Sequence, residues 1–206
     1  MDSVTLLYEK KDEIALGISF DYGSNHNHNE LPLAALHCQR LGIEHVVVPL
    51  GFMHQYFKSS LLESGDSIPD GSYDEENMKS TVVPFRNGVM LAVAAGIAES
   101  NGLTKVLIAN HGGDHTIYPD CRPEFIAAMD AAVEAGTFAR VRVVAPYTNI
   151  SKADIARRGR VLGIDYAETW SCYKGGHVHC GTCGTCVERK EALREAGIED
   201  NTTYQS

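Results

Sequence analysis

Short apolar runs alternate with amphipathic stretches along most of this chain. Residues 14–22 (Ile-Ala-Leu-Gly-Ile-Ser-Phe-Asp-Tyr) form an apolar run that ends in polar residues, which predicts a buried β-strand. Residues 29–41 repeat apolar side chains at helical spacing and Gly42 follows as a stop signal, so we expect a helix there. The same alternation predicts further helices over 2–11, 87–99, 123–135, 151–162 and 188–196, and further strands over 45–50, 105–110 and 141–145.

Strands that alternate with crossover helices indicate an α/β fold, with an open parallel sheet and helices on both faces. Ligands of such sheets bind beyond the carboxyl ends of the strands. Residues 53–82 break the alternation with Gly65, Pro69, Gly71 and an acidic run at 74–76. For this excursion, residues 53–82, we expect either a mobile lid or a solvated insertion without a role.

Polar residues follow several of the predicted strands. Residues 20–23 are Phe-Asp-Tyr-Gly, and residues 84–87 (Pro-Phe-Arg-Asn) open a helix whose N-terminus favours an anion. Residues 110–114 (Asn-His-Gly-Gly-Asp) and 118–122 (Tyr-Pro-Asp-Cys-Arg) come after a third strand. A lone Asp or Arg of this kind is typical of a structural cap, but convergence of all of them at one sheet edge favours a functional site.

Four cysteines near the end of the chain have the spacing of a metal site. They are Cys172, Cys180, Cys183 and Cys186. The last three form a C-x-x-C-x-x-C run, and glycines between them permit tight turns, so four thiolates can surround one tetrahedral Zn²⁺. Such a site has no open position, so the zinc is expected to organise structure rather than to carry out chemistry.

Other chemistries are open to these cysteines. Disulfides suit secreted chains, and no secretory signal is recognisable here. A 4Fe–4S cluster remains an alternative, but the usual ferredoxin run ends in Cys-Pro, whereas Val187 follows the last cysteine. A redox Cys-x-x-Cys pair is another alternative, although four clustered cysteines fit a closed metal site better. His177 and His179 are candidate substitute ligands.

The composition and net charge of the chain indicate which kinds of molecule it can bind. The chain has 206 residues and a net charge of −9, which argues against a broad nucleic-acid-binding face and favours a small-molecule substrate. No apolar stretch approaches the roughly 20 residues that span a bilayer, so we expect no membrane contact. Cys38 and Cys121 look like unpaired thiols of a reducing compartment, and this predicts a cytoplasmic location.

Taken together, these segments resemble the 7-cyano-7-deazaguanine synthases, a family of the N-type ATP pyrophosphatase (PP-loop) superfamily. The runs that carry the resemblance span nearly the whole chain in the family's order, and Arg189 follows the last cysteine as it does there. They are residues 19–23 (Ser-Phe-Asp-Tyr-Gly), 83–87 (Val-Pro-Phe-Arg-Asn), 118–125 (Tyr-Pro-Asp-Cys-Arg-Pro-Glu-Phe) and 169–173 (Thr-Trp-Ser-Cys-Tyr), with the three later cysteines.

The resemblance implies an architecture. It predicts an adenine nucleotide alpha hydrolase-like α/β domain over residues 1–168 and a Cys₄ zinc-binding segment over 169–206. It also implies a homodimer without direct contact to nucleic acid.

The resemblance also implies an activity: ATP-dependent conversion of 7-carboxy-7-deazaguanine and ammonia to 7-cyano-7-deazaguanine, for queuosine synthesis in tRNA modification. ATP is then a cosubstrate, with Mg²⁺, and one structural zinc is bound. The candidate catalytic residues are Arg86, Asn87, Asp114, Asp120 and Arg122. Among them, Arg86 and Arg122 are expected to meet phosphate charge, while Asp114 and Asp120 are expected to hold the guanine-like edge or Mg²⁺.

The chain departs from the family at the ATP loop, Ser-Gly-Gly-x-Asp-Ser, which follows the family's first strand. Here Met1 stands at x, so that Asp2 and Ser3 match only the end of the motif and are the candidate ATP-binding residues. We expect a longer natural protein whose start was assigned at an internal methionine; a genuine truncation is the alternative. A missing central strand would leave unpaired backbone groups and exposed apolar surface on its neighbours.

Two other functions compete with this one. A PP-loop enzyme that thiolates tRNA would share the fold, but the acidic charge and the complete Cys₄ site argue against it. A catalytically inactive zinc module is favoured by the incomplete ATP loop, yet the chain retains the family's other motifs.

Overall fold

The computed structural model describes residues 1–63 and 65–205, and its contacts divide the chain into two units. Unit 1 contains Met1–Pro84 and Lys152–Ser206, and unit 2 is Phe85–Ser151. The boundary predicted at residue 168 is not one of these divisions, and it stays a prediction.

Helices and parallel strands alternate as expected, and this confirms the α/β class. The helices are α1 (Asp2–Glu9), α2 (Asn27–Leu41), α3 (Phe52–Tyr56), α4 (Glu75–Met78), α5 (Arg86–Ser100), α6 (Pro123–Gly136), α7 (Lys152–Val161) and α8 (Gly184–Glu195). The strands are β1 (Leu16–Asp21), β2 (Glu44–Pro49), β3 (Lys105–Leu107) and β4 (Arg142–Val144). None of the helices described is both long and apolar enough to cross a bilayer.

Unit 1 contains one parallel strand pair. β1 pairs with β2 from Leu16 opposite Glu44 to Asp21 opposite Pro49, and α2 is the crossover between them. Gly42 ends α2 in the left-handed conformation, with φ 68°, as its position in the sequence predicts. The prediction that the first strand is buried is wrong: five of its six residues are half-buried and the last is exposed, because in the described residues β2 is its only strand partner.

The two ends of the chain meet within unit 1. α1 packs on α7, and α7 packs on α8. The Thr5 hydroxyl lies 3.0 Å from the Tyr166 hydroxyl, and both residues are buried. Gly159 allows this approach, because a Cβ there would lie 1.8 Å from the Tyr166 oxygen. A small apolar core forms around them from Met1, Ala156, Tyr166, Ala192 and Leu193.

Unit 2 contains the second strand pair, β3 with β4, and α6 is the crossover. Ile108 extends the ladder by donating its N–H to Val144 O at 3.0 Å, although the strand predicted over 105–110 is shorter in the structure. The core of this unit lies between α5, α6 and the strands. Its buried members are Leu91, Ala95, Ala98, Ile126, Val133, Val141 and Val143.

The excursion belongs to unit 1, and its described residues pack against other parts of that unit. Leu61, Leu62 and Met78 are almost completely buried. Gly71 N donates to Thr182 O at 2.9 Å, and Asp70 forms an isolated β-bridge with Cys183. The alternative of a solvated insertion is therefore wrong for these residues, because they supply apolar core or pair with residues 169–205, which we call the cysteine-rich segment.

Candidate functional site

The four cysteines converge in unit 1. Their sulfur atoms all lie within 4.8 Å of one another, and all four residues are buried. The Sγ atoms of Cys180 and Cys186 are 3.9 Å apart. Zn–S bonds of about 2.3 Å place the sulfurs of a tetrahedral site about 3.8 Å apart. The cysteines are free thiols, and this arrangement can hold a metal such as zinc.

The backbone around the cysteines holds their sulfur atoms in fixed positions, as a metal site requires. Gly181 takes φ 77°, a conformation that favours glycine, and Cys183 is the N-cap of α8. The Cys180 sulfur accepts backbone N–H groups from Cys183 at 3.2 Å and Thr182 at 3.4 Å, and such outer contacts orient metal ligands. Hydrogen bonds among the thiols lower the pKa of Cys183 and raise the pKa values of Cys172 and Cys186, so the cluster shares its protons and titrates as a unit.

His179 has another role than that of a substitute ligand. Its Nε2 accepts the backbone N–H of Ser171 at 3.1 Å, and its ring packs on Trp170 with centroids 4.2 Å apart. Burial, with a smaller contribution from the nearby Arg189 charge, lowers the pKa of His179 to about 4. The neutral ring therefore fixes the segment before the cysteines.

Arg189 ties the cysteine-rich segment to the rest of unit 1. The side chain is fully buried, with 0% exposure. Its guanidinium donates to Thr169 Oγ1 at 2.9 Å, Ser171 Oγ at 3.1 Å and Thr202 Oγ1 at 2.8 Å, and also to Tyr166 O. These acceptors precede and follow the cysteines in sequence, so the cation joins both sides of the cluster.

The candidate ATP-binding residues also lie in unit 1. Asp2 and Ser3 begin α1, and Ser3 is exposed. Asp2 Oδ2 lies 3.3 Å from Lys152 Nζ, which also contacts Glu188 Oε2 at 2.6 Å. Lys152 was not predicted from the sequence. A lysine at the start of a predicted helix carries no distinctive signal, and its partners are distant in sequence.

The five candidate catalytic residues all belong to unit 2, whereas Asp2 and Ser3 belong to unit 1. Asp120 and Asn87 make a direct connection. Asp120 Oδ2 accepts the Asn87 backbone N–H at 2.7 Å, and Asn87 Nδ2 donates to Asp120 O at 3.2 Å and to Cys121 Sγ at 3.1 Å. The Asp120 carboxylate thus caps the first turn of α5, a position where negative charge is favourable.

The start of α5 has an unusual backbone. Phe85 precedes the helix with φ 54°, a left-handed conformation that is strained for a bulky residue. Arg86 is the first helical residue and is half-buried. The structure thus places the arginine at a helix N-terminus, where its charge adds to the partial positive charge of the helix.

Asp114 and Arg122 stabilise the loops that follow β3. Asp114 Oδ2 accepts the backbone N–H of His111 at 3.2 Å, as in a capping box. Arg122 Nε donates to His115 O at 3.0 Å and precedes α6. Both residues are half-buried, so these local contacts leave part of each side chain exposed.

Asn110 is a polar residue whose role the sequence analysis missed. Only 5% of it is exposed, and its Nδ2 donates to Cys121 O at 2.8 Å and to Thr148 Oγ1 at 3.4 Å. Its Oδ1 is buried without a hydrogen-bond partner among the described residues. Nearby, burial raises the pKa of Cys121 above its usual range, with further contributions from the charges of Asp114 and Asp120 and opposition from that of Arg86.

Comparison with known proteins gives a consistent result. The family model described as "Queuosine biosynthesis protein QueC" matches residues 1–197. A 7-cyano-7-deazaguanine synthase of Porphyromonas gingivalis is 68% identical over 205 residues, which cover 100% of this chain and 93% of the relative. Proteins of the same name from Desulfotalea psychrophila and Rhizobium etli are 53% and 47% identical, covering 99% and 100% of this chain and 94% and 88% of those relatives. The chain therefore belongs to the QueC family.

Proposed function

We propose that this protein converts 7-carboxy-7-deazaguanine and ammonia to 7-cyano-7-deazaguanine at the expense of ATP, in queuosine biosynthesis. The observation that carries the proposal is the 68% identity, over the whole of this chain, to a relative of that name. A homodimer remains a prediction from the resemblance, and a cytoplasmic location remains a prediction from the unpaired thiols of Cys38 and Cys121.

The chemistry proceeds by activating two poor electrophiles in turn. The substrate carboxylate attacks the α-phosphorus of ATP and pyrophosphate leaves. Ammonia then attacks the carbonyl carbon, a proton is lost and AMP leaves, which gives the amide. The amide oxygen attacks a second ATP with loss of pyrophosphate, and elimination of AMP and two nitrogen-bound protons gives the nitrile. AMP is a far better leaving group than hydroxide, and its formation lowers the barrier of each displacement.

Phosphate charge is the main electrostatic problem in each activation. Arg86 and the N-terminus of α5 supply positive charge in unit 2. Mg²⁺ bound with ATP would neutralise more of this charge. Among the described residues, the four cysteines form the only cluster of three or more potential ligands. We therefore propose that phosphate oxygens and at most one or two carboxylates, such as Asp114 or Asp120, hold Mg²⁺.

The first test is product formation. The protein is incubated with 7-carboxy-7-deazaguanine, ATP, Mg²⁺ and ammonia, and the nitrile is sought by mass spectrometry. We expect nitrile with ammonia present, and pyrophosphate release without nitrile when ammonia is omitted. Absence of both pyrophosphate and nitrile would contradict the proposal and favour an inactive zinc module.

Arg86→Ala is expected to slow pyrophosphate release by about 10²–10³-fold, as loss of a charge-stabilising donor does in other enzymes. The matched control is Arg140→Ala in the same unit, because Arg140 is exposed and paired with Glu134 at 2.7 Å. Pyrophosphate release is measured in single-turnover experiments. An unchanged rate in the Arg86 variant would remove Arg86 from this role.

The thiolation alternative receives no support from the cysteines outside the cluster. A thiol that carries sulfur to RNA must be reactive, and reactive thiols have lowered pKa values and some exposure. Cys38 and Cys121 are both buried, and burial raises the pKa of each. Neither therefore has the environment of a catalytic cysteine.

A further inference from the structure

Phe85 presents an aromatic ring to solvent from a strained backbone. The residue is 60% exposed, although its ring is among the larger apolar groups of the chain. Its φ of 54° lies in the left-handed region, which is unfavourable for a residue with a Cβ. A phenylalanine that is both strained and exposed contributes little to stability, and strained residues of this kind cluster at functional sites.

The ring is nevertheless held in place. It meets the ring of Phe125 edge to face, with centroids 5.6 Å apart and an interplanar angle of 89°. On another side it lies over Gly88, where an added Cβ would come within 2.3 Å of the ring. Phe125 and Gly88 therefore fix the orientation of the ring while more than half of the residue stays open.

The Phe85 ring lies next in sequence to two of the candidate catalytic residues. Phe85 is the N-cap of α5, directly before Arg86 and Asn87. Asn87 in turn joins Asp120 and Cys121 through the hydrogen bonds described above. A planar group on the ring would thus lie beside a helix N-terminus and a cation, which suit the anionic groups that substrate and ATP both carry.

We propose that Phe85 is a binding residue on which a purine-like base stacks. Stacking on an aromatic side chain stabilises a bound base and tolerates different bases, because every base has a π-face. The base is the 7-deazaguanine ring of the substrate or the adenine of ATP, and separate titrations distinguish the two. This inference rests on the proposed function, which supplies both ligands.

The test measures the affinity of each ligand by isothermal titration. In Phe85→Gly we expect either 7-carboxy-7-deazaguanine or ATP to bind about tenfold more weakly or worse. Phe85→Tyr and Phe85→Trp should keep the affinity within about twofold, because they keep an aromatic face. Phe138→Ala is the matched control, since this phenylalanine of unit 2 is fully exposed and should leave both affinities unchanged.

Two readouts separate stacking from a structural role. Glycine relieves the strain at φ 54°, so Phe85→Gly should keep or raise the thermal midpoint while it weakens binding. A base that stacks should also quench the added fluorescence of Phe85→Trp, whereas the native chain has only Trp170, in unit 1. Both expectations fail if the ring serves only to pack against Phe125.

The outcomes are distinct. Unchanged affinity for both ligands in Phe85→Gly, with normal binding by the native protein, would overturn the stacking role alone. A loss of affinity in the tyrosine and tryptophan variants equal to that in Phe85→Gly would also overturn it. Failure of the native protein to bind either ligand would overturn the proposed function and this inference with it.

Discussion

Cys183→Ser is expected to abolish stoichiometric zinc binding and to unfold the cysteine-rich segment. The variant removes a thiolate from a buried four-sulfur cluster and leaves the other three sulfurs without a closed site. Structural zinc contributes apparent binding free energies of about 10–16 kcal/mol in zinc-finger peptides, and that binding energy is also folding energy. Zinc content by mass spectrometry and the urea unfolding midpoint measure the two effects.

The control for this variant is Cys38→Ala. Cys38 is also buried in unit 1 but lies outside the cluster, so its loss should lower stability modestly and leave the zinc content at one ion per chain. A strong chelator should reproduce the effect of Cys183→Ser in the native protein. Full zinc content in Cys183→Ser would show that the cluster is not the metal site.

Arg189→Ala is expected to lower the free energy of unfolding by about 3 kcal/mol or more. The change removes a fully buried cation and leaves the hydroxyls of Thr169, Ser171 and Thr202 without their donor. Each buried group that loses its partner costs about 1–3 kcal/mol. The thermal midpoint should fall by roughly 10 °C in a protein of this size.

The variant Arg189→Lys distinguishes the contribution of the positive charge to stability from that of the planar guanidinium donors. Lysine keeps the charge but not the planar set of donors that reaches acceptors on several sides, so most of the loss should remain. Arg194→Ala, one turn or so further along α8, removes an exposed arginine and should change the midpoint little. Equal stability of the Arg189 and Arg194 alanine variants would contradict the joining role of Arg189.

The fold class and the metal site could be predicted because their signals are local. Alternating apolar runs predicted the α/β order, and spacing alone identified the four cysteines. α8 begins at Gly184 rather than at the predicted residue 188, because Cys183 caps the helix inside a Gly-Thr-Cys stretch that has no apolar period. The first residue of a helix depends on such a cap, and the amino-acid composition of the segment does not reveal it.

Roles that depend on distant partners could not be predicted. Lys152 forms ion pairs with Asp2 and Glu188, which lie far from it in the sequence. Asn110 donates a hydrogen bond to Thr148, which lies 38 residues away. The sequence of the excursion is typical of a loop because it contains two glycines and a proline. Its buried residues Leu61, Leu62 and Met78 follow no helical or strand period, so only the folded chain shows what they cover.

The division of the chain has a consequence for its biosynthesis. Unit 2 is one continuous segment, so it can fold as soon as residue 151 has left the ribosome. Unit 1 is interrupted by it: the bond between Thr5 and Tyr166 spans 161 positions. During synthesis, the apolar surface that residues 1–84 bury against residues after 151 therefore stays uncovered until those later residues are made. Unit 1 is therefore completed only after the whole of unit 2 has been synthesised.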